Sequence, residues 1–311
     1  MGASSLGPGD ASAVIAGWHA RPTGTRTMPA ANALTVDVED YFQVEAFYNI
    51  VDRNTWNSYP CRVEQNVDRI LELFENAGVR ATFFTLAWIA KRYPAIVKKI
   101  VAGGHELASH GTDHQRADHQ TRTQFQNDIA SAKAILEDLS GVEIKGFRAP
   151  SFSIGRKNLW AMEAIADAGY KYSSSTYPIV HDNYGIPEGP RFAFYPLCDR
   201  SLLEIPVTSL RWLGRNWPCG GGGYFRLLPY ELSAFALNQV RRHDGEPLVF
   251  YFHPWEIDAE QPRLPHAQWK SRARHYLNLD RTMPRLARLV SAFQWARMDE
   301  IFLTDAPKGT E

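Results

Sequence analysis

The sequence predicts an α/β fold of the barrel type, with parallel strands each followed by a helix. Two observations carry this. Short apolar, β-rich runs alternate along the chain with amphipathic helical stretches, the order that produces a parallel sheet covered by helices. The residues able to do chemistry stand where the apolar runs end, as a (β/α) barrel requires. The length of 311 residues, 44% of them hydrophobic, is ample for one large core, and no internal repeat of fixed period is present.

Taken in order, Ala33–Val38 is a buried strand of small and β-branched residues. Gln65–Ala77 places Val67, Ile70, Leu71, Leu73 and Phe74 on a helical stripe that Gly78 stops. Arg80–Leu86 is a short β-rich run, Pro94–Ala102 a helix, and Glu106–Ser109 a strand leading into His110. Thr121–Leu139 is a long helix with Phe125, Ile129, Ala132, Leu136 and Leu139 on one face. Gly146–Arg148 is strand-like, and Leu159–Ala168 is a helix ended by Gly169. From Tyr177 to Tyr224 the texture turns loop-rich, with many Pro, Gly and aromatic residues and one strand at Leu202–Val207; so long an insertion is usually functional. Pro229–Arg242 reads as a helix, Pro247–Phe252 as a last buried strand, Leu286–Phe293 as a closing helix and Glu300–Leu303 as an added strand.

Lys plus Arg and Asp plus Glu are each 34, so the net charge is zero. That disfavours a nucleic-acid binder, which would carry a basic excess, and gives no preference for a polyanionic substrate. The cysteines, Cys61, Cys198 and Cys219, are odd in number and far apart, which is not a disulfide framework and agrees with a reduced compartment. Residues 1–30 are rich in Gly, Ala, Ser, Pro and Thr and lack a basic stretch followed by a long apolar run; they read as a disordered leader without signal-peptide character. No run approaches the roughly 18 apolar residues of a membrane helix. A soluble, cytoplasmic protein with no integral membrane segment is the expectation, and nothing in the sequence sets an oligomeric state.

Three blocks carry candidate chemistry. Asp37, Glu39 and Asp40 end the first strand, with Asp37 and Glu39 on one face and Asp40 on the other. His110 and His114, four residues apart, would face the same side of a helical turn and form a pair of metal ligands. His253 ends the apolar run Leu248–Phe252, a position suited to acid–base work near neutral pH. Between them lies Gly146-Phe147-Arg148-Ala149-Pro150, whose Arg148 could hold a carboxylate ionised. His105 and His119 are off this spacing and read as structural or solvent residues; Asp113 reads as a turn residue.

These blocks, with the stretches between them from about Leu34 to His253, resemble the polysaccharide deacetylase family (NodB-homology, carbohydrate esterase family 4). Asp-Val-Glu-Asp at 37–40 and His-Pro-Trp-Glu-Ile-Asp at 253–258 resemble the subgroup found in exosortase-associated (PEP-CTERM) exopolysaccharide loci. The resemblance implies a distorted (β/α)7 barrel, with a loop-rich C-terminal elaboration, as a single domain over residues 31–311 that continues as an extension after about 255. It implies that Asp37 is the catalytic base, Arg148 its holder and His253 the general acid. It also implies that an acid with His110 and His114 binds a divalent metal, Zn2+ by default with Co2+, Ni2+ or Mn2+ as alternatives. The family's ligand acid directly follows the base, where this chain has Val38, so the ligand is Glu39 or Asp40; strand alternation favours Glu39, and the short side chain gives Asp40 a slight preference.

The implied reaction is removal of an N-acetyl group from a saccharide containing an N-acetylhexosamine, lipid- or nucleotide-linked, in exopolysaccharide biosynthesis, with an ion-activated water as nucleophile. Pro150, Tyr177, Trp217, Tyr224 and Trp255 are the candidate substrate contacts; Trp212 is a further aromatic that could stack on a sugar. The family's Asp-x-x-x-Trp-Asp block, which orients the late His, is missing around Tyr172–Tyr177, leaving Glu204 and Asp258 as candidate partners of His253. A metal-independent amidohydrolase of the same fold (allantoinase-like) and an inactive carbohydrate-binding protein are the competing readings.

Overall fold

In the computed structural model, which describes residues 11–21, 31–264 and 267–303, the strand Asn32–Val38 is buried at every position. That explains why its sequence shows no polar alternation: a strand of a parallel sheet has both faces covered. It is β1 of a seven-stranded parallel set with β2 (Thr82–Thr85), β3 (Glu106–Ser109), β4 (Gly146–Phe147), β5 (Tyr172–Ser173), β6 (Leu203–Glu204) and β7 (Val249–Phe252). The spatial order is β6-β5-β4-β3-β2-β1-β7, every neighbouring pair parallel. The remaining seam, between the chain after β6 and β7, carries single backbone bonds rather than a ladder: Thr208 N–H to Val249 C=O at 3.2 Å and Tyr251 N–H to Gly220 C=O at 2.9 Å. The result is a distorted (β/α)7 barrel, the fold class expected.

The helices lie outside the barrel and bury their apolar stripes against it. Val63–Ala77 buries Val67, Ile70 and Phe74 and ends at Gly78, whose φ of 65° is the left-handed cap that glycine adopts without strain. Arg122–Ser140 opens with a capping box between Thr121 and Gln124 and buries Phe125, Ile129, Ala132 and Leu136. The first of these helices starts two residues earlier than its stripe suggests, because its leading N–H groups are capped by Asp40, 22 and 23 residues upstream.

Two other expectations change. Glu300–Leu303 is not a strand: Met298–Phe302 is helical, and the added strand is Trp295–Ala296, parallel to β1. The reason is tertiary. Thr82 Oγ1 and Glu106 Oε2, at the foot of the barrel, accept the N–H groups of Met298 and Asp299 and start a helix there. The closing helix begins at Leu279, not Leu286, with Pro284 inside it, since Leu279, Leu286, Leu289 and Val290 share a buried stripe.

Of the expected leader, residues 1–10 and 22–30 lie outside the described residues, but Ala11–Ala16 is helical and His19–Ala20 pairs with Phe194–Tyr195, with Trp18 stacked on Phe194 at 4.5 Å. That part is therefore ordered, because an aromatic contact and a strand edge hold it. The Tyr177–Tyr224 insertion contains a two-stranded antiparallel hairpin, Ser209–Trp212 with Arg215–Pro218, and the helix Gly222–Leu227. The three cysteines are free. No helix among the described residues is long and apolar enough to cross a membrane.

Candidate metal and hydrolytic site

The C-terminal ends of β1, β3, β4 and β7 converge on one buried cluster. At the end of β1, strand alternation puts Asp37 and Glu39 on the same side. Arg148, after β4, is fully buried and makes four hydrogen bonds with its five N–H groups: Nη1 donates to Asp37 Oδ1 at 2.6 Å and Thr35 Oγ1 at 2.8 Å, Nη2 to Ser174 Oγ at 2.9 Å, and Nε to the Ser174 carbonyl at 3.0 Å. Its guanidinium also lies 4.1 Å from the Phe84 ring centre. A buried ion pair is tolerable only with this degree of hydrogen-bond satisfaction. Asp37 Oδ2 is left facing the site.

His110 follows β3. Its Nδ1 lies 2.8 Å from the Arg148 carbonyl, which can only accept, so Nδ1 carries the proton and Nε2 keeps its lone pair. Burial pulls the His110 pKa down to about 4, holding the ring neutral. The chain reaches His114 without a helical turn. Gly111 at φ 79° and His114 at φ 57° form a left-handed loop that brings the two rings to 5.4 Å between centres. The spacing expected from a helix is thus realised by a loop, because His110 is already committed to the strand end.

One ligand atom each from Glu39, His110 and His114 lies within 4.8 Å of the others, all buried. Burial pushes the Glu39 carboxyl up, but His114, His253 and His110 outweigh it and bring the pKa down to about 2. Glu39 Oε2 approaches His114 Nε2 to 2.9 Å, yet no hydrogen bond satisfies this buried oxygen. One carboxylate and two imidazoles, with an unsatisfied buried oxygen among them, fit a divalent ion of the zinc type.

Asp40, slightly preferred as the ligand acid, is not brought into this cluster. Its Oδ1 accepts the Tyr41 N–H and its Oδ2 the N–H groups of Arg62 and Val63, at 2.8–3.0 Å, so its lone pairs are spent on capping. Burial raises its pKa to about 6.

His253 ends β7. Its Nε2 lies 3.3 Å from Glu39 Oε1 and 4.0 Å from Asp37 Oδ2; its Nδ1 lies 2.6 Å from Glu256 Oε1. Burial alone would pull its pKa down, but Glu39, Glu256 and Asp37 together raise it to about 9.

Comparison with known proteins gives two family models. The polysaccharide deacetylase model matches residues 53–173, and a domain of unknown function (DUF3473) matches 174–303. Over residues 53–173 the chain is therefore similar to the polysaccharide deacetylase family. Among curated relatives, a peptidoglycan-N-acetylglucosamine deacetylase of Bacillus cereus is 33% identical over 96 residues, 30% of this chain and 35% of its own length. A chitooligosaccharide deacetylase of Azorhizobium caulinodans is 30% identical over 82 residues, 26% of this chain and 39% of its own. The chain thus spans little more than a third of the length of these relatives. The crystal structure of a putative polysaccharide deacetylase from Mycobacterium smegmatis superposes with a TM-score of 0.57 at 19% identity, over 91% of this chain and 92% of that one, which shows the shared fold.

His110, His114 and Arg148 lie inside the deacetylase match, whereas His253 and Glu256 lie in the following region. The barrel crosses that boundary: β1–β5 precede it and β6–β7 follow it. Neither candidate partner of His253 reaches it. Glu204 Oε1 accepts from Ser175 N–H, Thr176 N–H and Thr176 Oγ1, each at 2.8 Å, and Asp258 holds Arg62 through both oxygens at 2.7 and 2.8 Å.

The partner that sequence reasoning missed is Glu256. A 3-10 turn over Pro254–Ile257 brings it back beneath His253, and its other oxygen lies 3.3 Å from Arg226 Nε. Gly222 makes room for it: a Cβ there would stand 2.1 Å from Glu256 Oε2. The signal was an acid three residues after the histidine, across a proline that starts the turn.

The candidate substrate contacts divide. Tyr177 is fully buried against Phe152 and Tyr184, and Pro150 is buried beside Gly111, so neither offers a face to a sugar. Trp255 is buried, stacks on His275 at 4.1 Å, and donates from Nε1 to Glu39 Oε1 at 3.3 Å; it braces the Glu39 carboxylate instead. Tyr224 is half-buried, and Trp217 is half exposed on the hairpin.

Proposed function

We propose that the protein is a divalent-metal-dependent N-deacetylase acting on a saccharide that contains an N-acetylhexosamine, such as N-acetylglucosamine. The observation that carries this is the convergence of Glu39, His110 and His114 with an Arg148-held carboxylate on one side and a Glu256-held imidazole on the other. An ion bound there, with Zn2+ suited to the donors and Co2+, Ni2+ or Mn2+ as alternatives, supplies Lewis acidity that polarises the amide carbonyl and acidifies water.

The chain's residues do the rest. Arg148 occupies Asp37 Oδ1 and leaves Oδ2 to accept the proton of the attacking water. His253, held through Nδ1, presents Nε2 to the leaving nitrogen and gives it a proton as the C–N bond breaks. The water oxygen goes to the acyl carbon, so acetate and an amino sugar are the products. The B. cereus and A. caulinodans relatives support this substrate class by their names. We place the reaction in exopolysaccharide biosynthesis, on a lipid- or nucleotide-linked precursor, because the Asp37–Asp40 and His253–Asp258 blocks resemble that subgroup. A reducing, cytoplasmic compartment agrees with three free cysteines.

The test is metal content by plasma mass spectrometry on wild type and His110→Ala, with acetate release from N-acetylglucosamine oligomers measured alongside. About one divalent ion per chain, lost in the variant together with acetate release, is the expected result. No bound ion after reconstitution would overturn the metal-dependent reading.

A further inference from the structure

The hairpin Ser209–Pro218 has a tip that folding alone does not account for. Leu213 and Gly214 form it at φ 51° and 76°, the two positive values of the tight turn that normally carries Asn-Gly or Gly-Gly. A leucine there is strained in the backbone, and its side chain is 83% exposed. Beside it Trp212 is 62% and Trp217 50% exposed, on one face of the hairpin, the Trp217 Nε1 donating to the Trp212 carbonyl across the strands. The helix Tyr230–Asp244, against which the hairpin packs, exposes Leu232 and Phe235 as well. Arg211 and Arg215 flank the tip, are exposed, and have no carboxylate within ion-pair distance among the described residues. Since the chain as a whole is neutral, this local excess is not a consequence of composition.

We infer that this tip docks on an anionic lipid-bilayer surface. Tryptophan rings suit the headgroup level, a protruding leucine reaches the acyl boundary, and arginines pair with lipid phosphates. The aliphatic apex, Leu213, gives no stacking face to a sugar. On the other side the hairpin is held by Asn216, whose Nδ2 donates to the carbonyls of Pro178 and Pro187 in the loop after β5. That loop leaves the same barrel end as the site residues, so docking would bring that end toward the membrane. The inference does not depend on the deacetylase reading.

The test is flotation of the full chain with vesicles of phosphatidylcholine alone and with added phosphatidylglycerol, at two salt concentrations. Wild type is expected to float with the anionic vesicles, less so at high salt. Arg211→Gln/Arg215→Gln and Trp212→Ser/Leu213→Asn should each weaken binding about tenfold or more; asparagine tolerates the left-handed tip, so the second variant keeps the turn. Unchanged melting temperatures establish that the variants fold. Absence of wild-type flotation, or equal flotation of the variants, would overturn the inference. So would size-exclusion data showing a dimer that the tip variant dissolves, or indole fluorescence that responds to chitooligosaccharide and not to vesicles.

Discussion

The turn over Pro254–Ile257 returns the Glu256 carboxylate to the ring of His253, three residues before it. In the role proposed for His253, a general acid, one ring nitrogen meets the substrate while the other stays engaged, and the 2.6 Å contact from Glu256 to Nδ1 would keep it so. Arg226 holds the opposite oxygen and lies 5.1 Å from the Trp255 ring centre, so the acid, the arginine and the indole bracing Glu39 form one assembly. Glu256→Gln keeps the shape and removes the charge. It should lower kcat for acetate release about 100-fold with little change in KM and an intact fold by circular dichroism. A wild-type kcat in this variant would reduce Glu256 to a packing residue. The residue was visible in the sequence as part of His253–Asp258; its role was not, because a role needs the turn that carries it back.

At the scale of the element, the end of β1 separates two adjacent acids into different duties. Strand alternation already set Asp37 and Glu39 on one face, and the structure keeps them there. The shorter Asp40 answers a competing demand: two N–H groups of a helix start, those of Arg62 and Val63, together with that of its neighbour Tyr41, take its carboxylate. Asp40→Ala should therefore cost about 1–3 kcal/mol in urea unfolding and leave metal stoichiometry unchanged. Glu39→Ala should lose the ion. Loss of metal in Asp40→Ala at full stability would reverse the assignment. The His110 and His114 pair teaches a related point: their spacing was legible, but the left-handed loop at Gly111 and His114 that makes it work is not a helical turn.

For the whole molecule, the barrel is cooperative across the boundary between the two family regions. β1 has β2 on one side and β7 on the other, so a cut after residue 173 would strip β7 from β1 and β6 from β5 and expose buried apolar faces. Residues 31–173 expressed alone should show no cooperative thermal transition, whereas 31–303 should; a sharp transition in the shorter fragment would refute this. The parallel α/β class, most strand and helix positions, and the residue types of the site are legible in the sequence, because periodicity and composition are local properties that burial imposes directly. Tertiary structure decided which acid faces the histidines, which carboxylate holds His253, where the last helix starts, and that Tyr177 and Trp255 are walls and not platforms. Each of those depends on groups tens to hundreds of residues apart competing for the same lone pairs and the same buried space.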